Sequence, residues 1–290
     1  MNLSWLQRKS QTASAPPFSN PDVLPSFQKF EGYARAVYEK EELFNLPSYL
    51  EREKTCILNY IHSLGLKLEL LSQRVEDFEG VFSYLAKRYT EEIAREISAF
   101  DLYRFVEYGY GLLLKEESGK VVGTIFELFY SSPVPSSFTI RLSVDESLQG
   151  YNLGYMLMKY SCLLSMEKGA IVKRAIIKVD NAVSLHINLN KIGWFGEDFL
   201  PDIPKLGPFM KLVLPLSPYG LESNSIDMDR LSAFMEKHKK GVDYQKIPFL
   251  DIESLDQLYR KTDFVVVAFI PPGRIEEKGS YLAVPKDSMY

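Results

Sequence analysis

The stretch Val144-Asp145-Glu146-Ser147-Leu148-Gln149-Gly150-Tyr151-Asn152-Leu153-Gly154 joins an apolar strand pattern, Phe138–Val144, to a helical pattern that ends at Gly169. The first N–H groups of such a helix have no partner within the helix, and the helix dipole favours negative charge beside them. Glycine lets the backbone approach a phosphate closely, and Asn152 tolerates left-handed geometry. The stretch therefore predicts a loop that can hold an anion, although similar loops also occur as simple tight turns.

Regular hydrophobic patterns flank this loop on both sides. Alternating apolar and polar residues predict strands, and apolar residues at helical spacing predict helices. Upstream, these patterns predict a strand, a helix and a hairpin over Leu66–Leu70, Val75–Leu85, Tyr110–Lys115 and Val121–Tyr130. Downstream, they predict a strand over Val172–Val179, a helix capped by Asn181 and a strand over Phe209–Leu216. Strands and helices that interleave in this way predict an α/β fold, with an α+β mixed sheet flanked by helices.

The two ends of the chain differ from this middle part. The first residues are rich in Ser, Pro, Gln and Asn, a composition that predicts a flexible arm. In the tail, Ser225 is predicted to cap a helix, and Phe264–Ile270 is predicted to form a strand that ends at two prolines. The chain thus divides into a flexible N-terminal arm, a helical extension, a central domain and a C-terminal α/β extension, over residues 1–30, 31–65, 66–216 and 217–290.

The composition disfavours several classes of protein. With 34 basic and 38 acidic side chains the net charge is −4, which predicts no nucleic-acid partner and no membrane partner. Three histidines and two cysteines are too few for an ordinary transition-metal site, so no metal is expected. No apolar stretch is long enough to span a bilayer or to serve as a signal peptide. Cys56 and Cys162 lie on apolar faces of helical patterns and are predicted to be reduced core residues, which fits a cytoplasmic protein.

The loop resembles the acetyl-CoA loop of the GNAT superfamily of N-acetyltransferases. In that family a strand ending in Val is followed, after a short spacer, by Arg/Gln-x-x-Gly-x-Gly/Ala at the start of a helix. Here Val144 is followed after four residues by Gln149-Gly150-Tyr151-Asn152-Leu153-Gly154, so the spacing agrees. Asn152 replaces the first glycine of the motif, and asparagine accepts the same backbone geometry.

A second motif lies downstream in the expected order. The family has Asn-x-x-Ala/Ser after a strand, then a short helix and Lys-x-Gly-Phe. This chain has Asn181-Ala182-Val183-Ser184 and then Lys191-Ile192-Gly193-Trp194-Phe195, with a segment between the two that is one residue longer than usual. The resemblance spans about Leu66–Leu216, roughly half of the chain. It implies a GNAT-like central sheet that is mixed and mostly antiparallel, with N- and C-terminal extensions.

The resemblance implies that the chain binds acetyl-CoA, or another acyl-CoA, as a co-substrate and passes the acyl group directly to an amine. In the family the strand before the loop parts from its neighbour, and its free backbone groups hold the pantetheine arm. The pyrophosphate rests on N–H groups of the loop. The residues thereby expected to bind the coenzyme are Leu142, Ser143, Val144, Gln149, Gly150, Tyr151, Asn152, Leu153, Gly154, Tyr155 and Asn181. A helix cap alone would also explain Asn181.

The residues that would move protons are less clearly marked. Many family members have a Tyr seven residues after the motif Asn, where this chain has Asn188, which cannot act as an acid. His186 lies on the same helix and is suited to act as a base, although a histidine on a helix surface is commonly structural. Glu127 is a candidate base if it faces the acceptor cleft. Because it alternates with apolar residues, the favoured interpretation is that it faces solvent.

Three functions are compatible with these patterns. The leading hypothesis is an N-acetyltransferase that acts on a small-molecule or protein amine. The second is a catalytically weak or inactive GNAT-like module that binds acyl-CoA as a sensor or scaffold. It is favoured by the missing Tyr and by the strand Phe138–Val144, which has no carboxylate where some family members have a Glu. The third is an interaction protein in which the helical extensions act. No pattern in the sequence indicates the acceptor or the oligomeric state.

Overall fold

A computed structural model describes residues 46–88, 97–131, 134–204, 206–216, 244–273 and 277–286. The predicted flexible arm and the helix predicted to begin after Ser225 lie outside these ranges.

The described strands form a main sheet and a small sheet. The main sheet contains β1 Leu66–Leu70, β2 Gly109–Glu116, β3 Val121–Tyr130, β4 Ser136–Val144, β5 Val172–Lys178, β6 Phe195–Ile203 and β7 Gly207–Pro215. Its strand order is β1-β2-β3-β4-β5-β7-β6, and every neighbouring pair is antiparallel except β4 and β5. The small antiparallel sheet has the order β8-β10-β9 and contains β8 Gln245–Pro248, β9 Phe264–Ile270 and β10 Ser280–Pro285. The expected mixed, mostly antiparallel sheet is confirmed.

Helices cover both faces of the part of the main sheet formed by β2, β3 and β4. The helices are α1 Leu46–Ser63, α2 Val75–Arg88, α3 Ala99–Tyr108, α4 Leu153–Glu167, α5 Ala182–Leu185 and α6 Ile252–Lys261, and α5 continues as a π-helical segment, His186–Ile192. Tyr110 and Leu112 face the core beneath α1 and α4, whereas Leu113 and Phe126 face the core beneath α2 and α3. Strands buried on both faces have nearly continuous apolar runs, as β2 and β3 do.

The N-terminal helix α1 packs along α4. Ile57 and Ile61 of α1 are buried in the same core as the apolar residues of α4. The ammonium of Lys54 lies 2.8 Å from the carboxylate of Glu167, and that of Lys159 lies 2.9 Å from Glu53. The helix expected between residues 31 and 65 is therefore present from Leu46 and belongs to the main core.

The part of the tail that the structure describes, residues 244–273 and 277–286, forms a C-terminal unit of three strands and α6. One face of this unit, with Val266, Phe269 and Tyr281, belongs to the same core as the main sheet, and its other face has a small cluster of its own. The hydroxyl of Tyr281 donates to the carbonyl of Val179 at 2.8 Å. Gly196 of β6 lies so close to Tyr259 of α6 that an added Cβ would come within 2.1 Å of its hydroxyl. The C-terminal unit is thus packed tightly against the main sheet.

Two sequence-based expectations differ from the structure. No strand was expected over Phe195–Ile203, yet this segment forms β6 at the edge of the main sheet. Its pairing with β7 is interrupted by two register shifts, and Pro201 and acidic residues break the apolar alternation. Cys162 is buried as predicted, but Cys56 is exposed because it lies on the outer side of α1.

None of the described helices is both long and apolar enough to cross a membrane.

Candidate functional site

The strands β4 and β5 pair over only part of their length. Their parallel ladder joins Ser136–Thr139 to Val172–Ala175 and then stops. Beyond it, β5 continues in register with β7 up to Lys178. No described ladder joins Leu142–Val144 to β5. The two strands therefore part after Thr139, as the resemblance implied, and leave a cleft with backbone groups along its β4 side.

A β-bulge marks the point where β4 leaves β5. The pairing of β4 with β3 shifts register between Phe126 and Thr124. Within the shifted segment of β4, Arg141 has a φ of 56°, which is uncommon for a residue with a side chain. Such bulges bend a strand and are frequent beside functional sites. Ser143, which follows the bulge, is buried and its hydroxyl lies 2.7 Å from that of Tyr84 on α2.

The loop after β4 presents a row of backbone N–H groups. A short 3-10 turn, Glu146–Leu148, uses the N–H groups of Leu148 and Gln149, which donate to Asp145 and Glu146. The next N–H that reaches a described backbone carbonyl is that of Met156, which donates to Asn152 at 3.0 Å. In the described part of the chain, no acceptor meets the N–H groups of residues 150–155. These groups can therefore bind an anion, whereas the N–H of Gln149 is already used.

The backbone conformation of the loop agrees with its sequence. Gly150 has a φ of 90°, and a Cβ at that position would meet nothing within 4 Å, so glycine is needed for conformation rather than for space. Asn152, at the N-cap of α4, has a φ of 56° and its side chain makes no cap hydrogen bond. The predicted left-handed geometry of Asn152 is confirmed. Leu153 is buried in the core, while Tyr151 is half-exposed.

Two side chains from distant parts of the sequence hold the loop. The ammonium of Lys191 donates to the amide oxygen of Asn152 at 2.7 Å and lies 5.7 Å from the ring centroid of Tyr155. The hydroxyl of Tyr60, on α1, donates to the carbonyl of Tyr151 at 2.8 Å. Neither Lys191 nor Tyr60 was expected at the site. Lys191 stands in the second motif, so its position could have been inferred, but the contact made by Tyr60 has no local signal.

Two carboxylates lie at the start of the loop, and both are paired with the basic end of α2. Lys87 lies 3.4 Å from Asp145, and Arg88 lies 2.6 Å from Glu146. Hydrogen bonds from Ser147 lower the pKa of Asp145, with Lys87 contributing. Pairing reduces the repulsion that these carboxylates would exert on an anion at the loop.

The second motif caps and continues a helix beside the loop. The side chain of Asn181 accepts from the N–H of Ser184 at 3.1 Å, which confirms its role as a helix cap. The helix then widens into the π-helical segment, and Gly193 ends it with a φ of 89°. Its turns lie beside the start of α4, because a Cβ on Gly154 would lie 3.3 Å from Ile187. A coenzyme contact by Asn181 stays a prediction.

Glu127 neither faces solvent nor lines an exposed cleft. Its side chain is fully buried, and its carboxylate lies 2.5 Å from the ammonium of Lys173, which is also fully buried. The same carboxylate oxygen accepts from Thr139 at 2.8 Å and from Ser161 at 2.6 Å. The expectation that Glu127 faces solvent is wrong, because β3 is covered on both faces and Glu127 points beneath α4.

The buried pair belongs to a larger polar network between the sheet and α4. Lys173 also donates to Ser161 at 2.8 Å and to Ser165 at 3.3 Å. The hydroxyl of Tyr110 donates to the carbonyl of Ser161 at 2.7 Å. Burial, together with the nearby charge of Glu127, raises the pKa of Tyr110 well above its usual value. The network ties β2, β3, β4 and β5 to α4 directly below the point where β4 and β5 part.

The other two catalytic candidates lie on the π-helical segment. His186 is half-buried, and its Nδ1 lies 2.9 Å from the amide nitrogen of Asn190, so Nδ1 accepts. Asn188 is buried, and its amide nitrogen donates to the carbonyl of Ser184 at 2.8 Å. The amide oxygen of Asn188 has no partner among the described residues. A catalytic role for either side chain stays a prediction.

No protein-family model matches the chain, and a comparison with curated proteins found no significant match. Solved structures of N-acetyltransferases, the class that the two motifs resemble, are similar to about half of it. The NatC complex bound to Gag peptide and CoA matches with 15% identity and a TM-score of 0.46, over 52% of this chain and 99% of that one. Ard1 from Thermoplasma volcanium matches with 18% identity and a TM-score of 0.44, over 53% and 99%.

A third similar structure is the ribosomal-protein-S18-alanine N-acetyltransferase from Escherichia coli, with 14% identity and a TM-score of 0.40, over 52% of this chain and 94% of that one. At these identities and TM-scores the likenesses carry no argument about the activity of this chain.

Proposed function

We propose that the chain is an acyl-CoA-dependent N-acyltransferase, with acetyl-CoA as the expected donor. The observation that carries this proposal is the cleft between β4 and β5. It opens next to a loop whose row of N–H groups has no acceptor among the described residues. A cleft with backbone groups suits the amide-containing pantetheine arm, and the loop at the start of α4 suits a pyrophosphate. The coenzyme contacts would come from Leu142–Val144 in the cleft and from residues 150–155 in the loop.

In the proposed reaction the nitrogen of an amine attacks the thioester carbon of the bound acyl-CoA. The new C–N bond forms, the C–S bond breaks, and the amine loses a proton while the thiolate of CoA gains one. The protein contributes chiefly by holding the two substrates in reach of each other. A backbone N–H of β4, beside the bulge, is proposed to donate to the thioester oxygen as negative charge develops on it.

The proton that the thiolate gains is proposed to come from water or from a side chain other than Glu127 and Asn188. Glu127 is enclosed with Lys173 and cannot reach a substrate without breaking a buried ion pair. Asn188 has no ionisable group. His186 is the one of the three that can exchange protons near neutral pH, and it is retained as the candidate base.

The acceptor is proposed to be an amine, on a small molecule or on a protein. The NatC structure contains a Gag peptide, and the Escherichia coli enzyme is described as acting on alanine of ribosomal protein S18. Protein N-termini, lysine side chains and small amines are the acceptor classes to test. A cytoplasmic location and the absence of a metal also stay predictions, although the described residues contain no group of three or more metal-binding side chains.

A second candidate function is an acyl-CoA-binding module that does not turn over. The enclosure of Glu127 favours it, because the one acidic candidate base pairs with Lys173 in the core instead. This module would bind CoA in the same cleft and loop but would release no thiol.

One experiment separates these functions. Binding of CoA and acetyl-CoA is measured by calorimetry, and release of the CoA thiol is then followed with peptides, lysine derivatives, amino sugars and polyamines as acceptors. Saturable binding with acceptor-dependent thiol release supports the transferase, and binding without release with every acceptor supports the module. The absence of heat of binding and of any rise in melting temperature with acetyl-CoA would contradict both, because a ligand of the folded state stabilises it.

A further inference from the structure

The segment between Asn181 and Gly193, one residue longer than is usual in the resembled family, contains a π-helical turn. In the segment His186–Ile192 the helix is wider than an α-helix, and the N–H of Gly193 donates to the carbonyl of Asn188 five residues back. Single π-turns of this kind are rare and are frequently found at functional sites. The widened turn carries two adjacent side chains, Asn190 and Lys191, that make contacts on opposite sides of it.

Asn190 holds the C-terminal unit. Its side chain is fully buried, and its amide pairs with the backbone of Phe269 in both directions. The amide nitrogen donates to the Phe269 carbonyl at 2.6 Å, and the amide oxygen accepts from the Phe269 N–H at 2.9 Å. The second amide hydrogen is available to Nδ1 of His186, 2.9 Å away. The side chain thus acts as a short stretch of strand at the edge of β9.

Lys191, the next residue, holds the loop after β4 through Asn152 and Tyr155. Adjacent side chains of a helix point in different directions, so Asn190 and Lys191 reach their two partners together only in one rotational setting of the turn. A second contact secures that setting, because the hydroxyl of Tyr281 holds the carbonyl of Val179 just before the helix begins. The C-terminal unit therefore contacts the segment between Asn181 and Gly193 near both of its ends.

We infer that Asn190 is a positioning residue, through which the C-terminal unit sets the place of the Lys191 ammonium at the loop and thereby strengthens binding of the coenzyme phosphates. The inference rests on the proposed function, since the anion is taken to be acyl-CoA. It assigns to the C-terminal unit a role that lies outside the half of the chain that resembles the acetyltransferases. A cation held beside unpaired N–H groups adds attraction for a phosphate that the N–H groups alone do not provide.

The test is a double-mutant cycle on the full chain, with Asn190→Ala and Lys191→Met, singly and together. If Asn190 acts through Lys191, Asn190→Ala weakens CoA binding by at least about fivefold in the wild-type background and by less than about twofold in the Lys191→Met background. A merely structural role for Asn190 would lower the melting temperature in both backgrounds but would not make its effect on CoA binding depend on Lys191. Equal losses of affinity in the two backgrounds, or no loss in either, would overturn the inference.

Two further variants serve as the control and as the replacement if Asn190→Ala does not fold. Leu282→Ala removes a fully buried side chain from the opposite face of the small sheet, so it destabilises the C-terminal unit without touching the π-turn. It is expected to leave CoA affinity unchanged, and a loss like that of Asn190→Ala would overturn the inference. Tyr281→Phe deletes one hydroxyl and is combined with Lys191→Met in the same double-mutant cycle. A loss of CoA affinity that depends on Lys191 supports the inference, and equal losses in both backgrounds, or no loss, overturn it.

A readout without ligand separates this inference from the proposed function. The amide of Met156, bonded to Asn152, reports on the first turn of α4. Its hydrogen exchange is expected to accelerate by about fivefold or more in Asn190→Ala and to be unchanged in Leu282→Ala. If the wild-type chain binds no CoA, the proposed function fails, and this exchange comparison alone decides whether Asn190 positions the loop.

Discussion

The carboxylate of Glu127 and the ammonium of Lys173 lie 2.5 Å apart, and neither side chain has any exposed surface. They come from β3 and β5, strands separated in the sheet by β4, and meet beneath α4. Thr139, the last residue of β4 that pairs with β5, donates to the same carboxylate. The pair therefore joins the strands where they are still together, and it lies directly below the cleft.

The first prediction concerns this pair and the free energy of unfolding. Removing one charge leaves the other buried and uncompensated, so Lys173→Met and Glu127→Gln are each expected to destabilise the fold by about 3–5 kcal/mol. The double variant Lys173→Met/Glu127→Leu is expected to recover most of that loss, since apolar replacements of a buried ion pair are often neutral. Urea denaturation measures all four proteins. If Glu127 served only as a base and not in the core, Glu127→Gln would leave the unfolding midpoint unchanged.

The second prediction concerns the loop. Gly150→Glu is expected to abolish CoA binding measured by calorimetry, because it places a carboxylate beside the phosphates and strains a residue whose φ is 90°. Gly119→Glu is the matched control, since Gly119 also has a positive φ and open space around it but lies in the β2–β3 turn. The control should fold and bind CoA normally. A folded Gly150→Glu protein with normal affinity would show that the coenzyme site is elsewhere.

The third prediction concerns the contact of α1 with the loop. Tyr60→Phe deletes the hydrogen bond to the carbonyl of Tyr151, a contribution of about 0.5–1.5 kcal/mol. CoA is therefore expected to bind roughly two- to tenfold more weakly, with little change in fold, as measured by calorimetry. Tyr103→Phe, on the exposed side of α3, is the control. Identical affinities of the two variants would mean that α1 has no effect on the loop.

The fourth prediction concerns acid stability. Asp77 of α2 is buried and lies 2.7 Å from Lys115. Although burial raises the pKa of Asp77, hydrogen bonds from Lys115 and Ser72 lower it to about 2 from 3.8. A carboxyl with a depressed folded pKa stabilises the protein above its unfolded pKa, and that contribution is lost as the pH falls from 3.8 towards about 2.

Asp77→Asn should therefore be less stable than wild type at pH 7, with a difference that shrinks below pH 3.8. Urea midpoints across this range measure it. Asp256→Asn, which removes a partly exposed surface pair with Arg260, is expected to cause a small change throughout. A difference for Asp77→Asn that is constant with pH would contradict the role given to its carboxylate.

The fifth prediction concerns the two thiols. Cys162 is buried, and burial raises its pKa to about 12, whereas Cys56 is exposed. A thiol-reactive dye should therefore modify one cysteine per folded chain and both in denaturant. The variant Cys56→Ser should lose the fast reaction. Rapid modification of two thiols in the folded protein would show that α4 is not packed as described.

The strands and helices that the sequence predicts correctly are those with a local signal. The loop after β4 is recognisable because glycine spacing, the strand before it and the helix after it all lie within one short stretch. The strand β6 could not be predicted in the same way. It contains Pro201, and its pairing with β7 has two register shifts. Its position in the sheet depends on that pairing rather than on a local pattern.

The surroundings of Glu127 show a different limit. An acidic residue between apolar residues of a strand indicates that polar and apolar side chains alternate between the two faces of the sheet. This alternation does not tell whether the face with the acidic residue is exposed to solvent or covered by a helix. Its partner Lys173 lies 46 residues further along the chain, on a strand that is not its neighbour in the sheet. The covering helix α4 supplies serines rather than apolar residues at that place, and this became evident only once the strands and the helix were placed together.

The hydroxyl of Tyr60, near one end of the described chain, contacts the loop. On the inference above, Asn190 also supports the loop, and its partner Phe269 lies towards the other end. A ribosome releases residues in order, so the loop emerges long before Phe269, the residue that Asn190 binds. Until that part has been synthesised, the nascent chain lacks one of the inferred supports of its proposed coenzyme site. Full CoA affinity is therefore expected only after β9 has been synthesised. Fragments that stop before β9 are expected to bind CoA more weakly than the full chain.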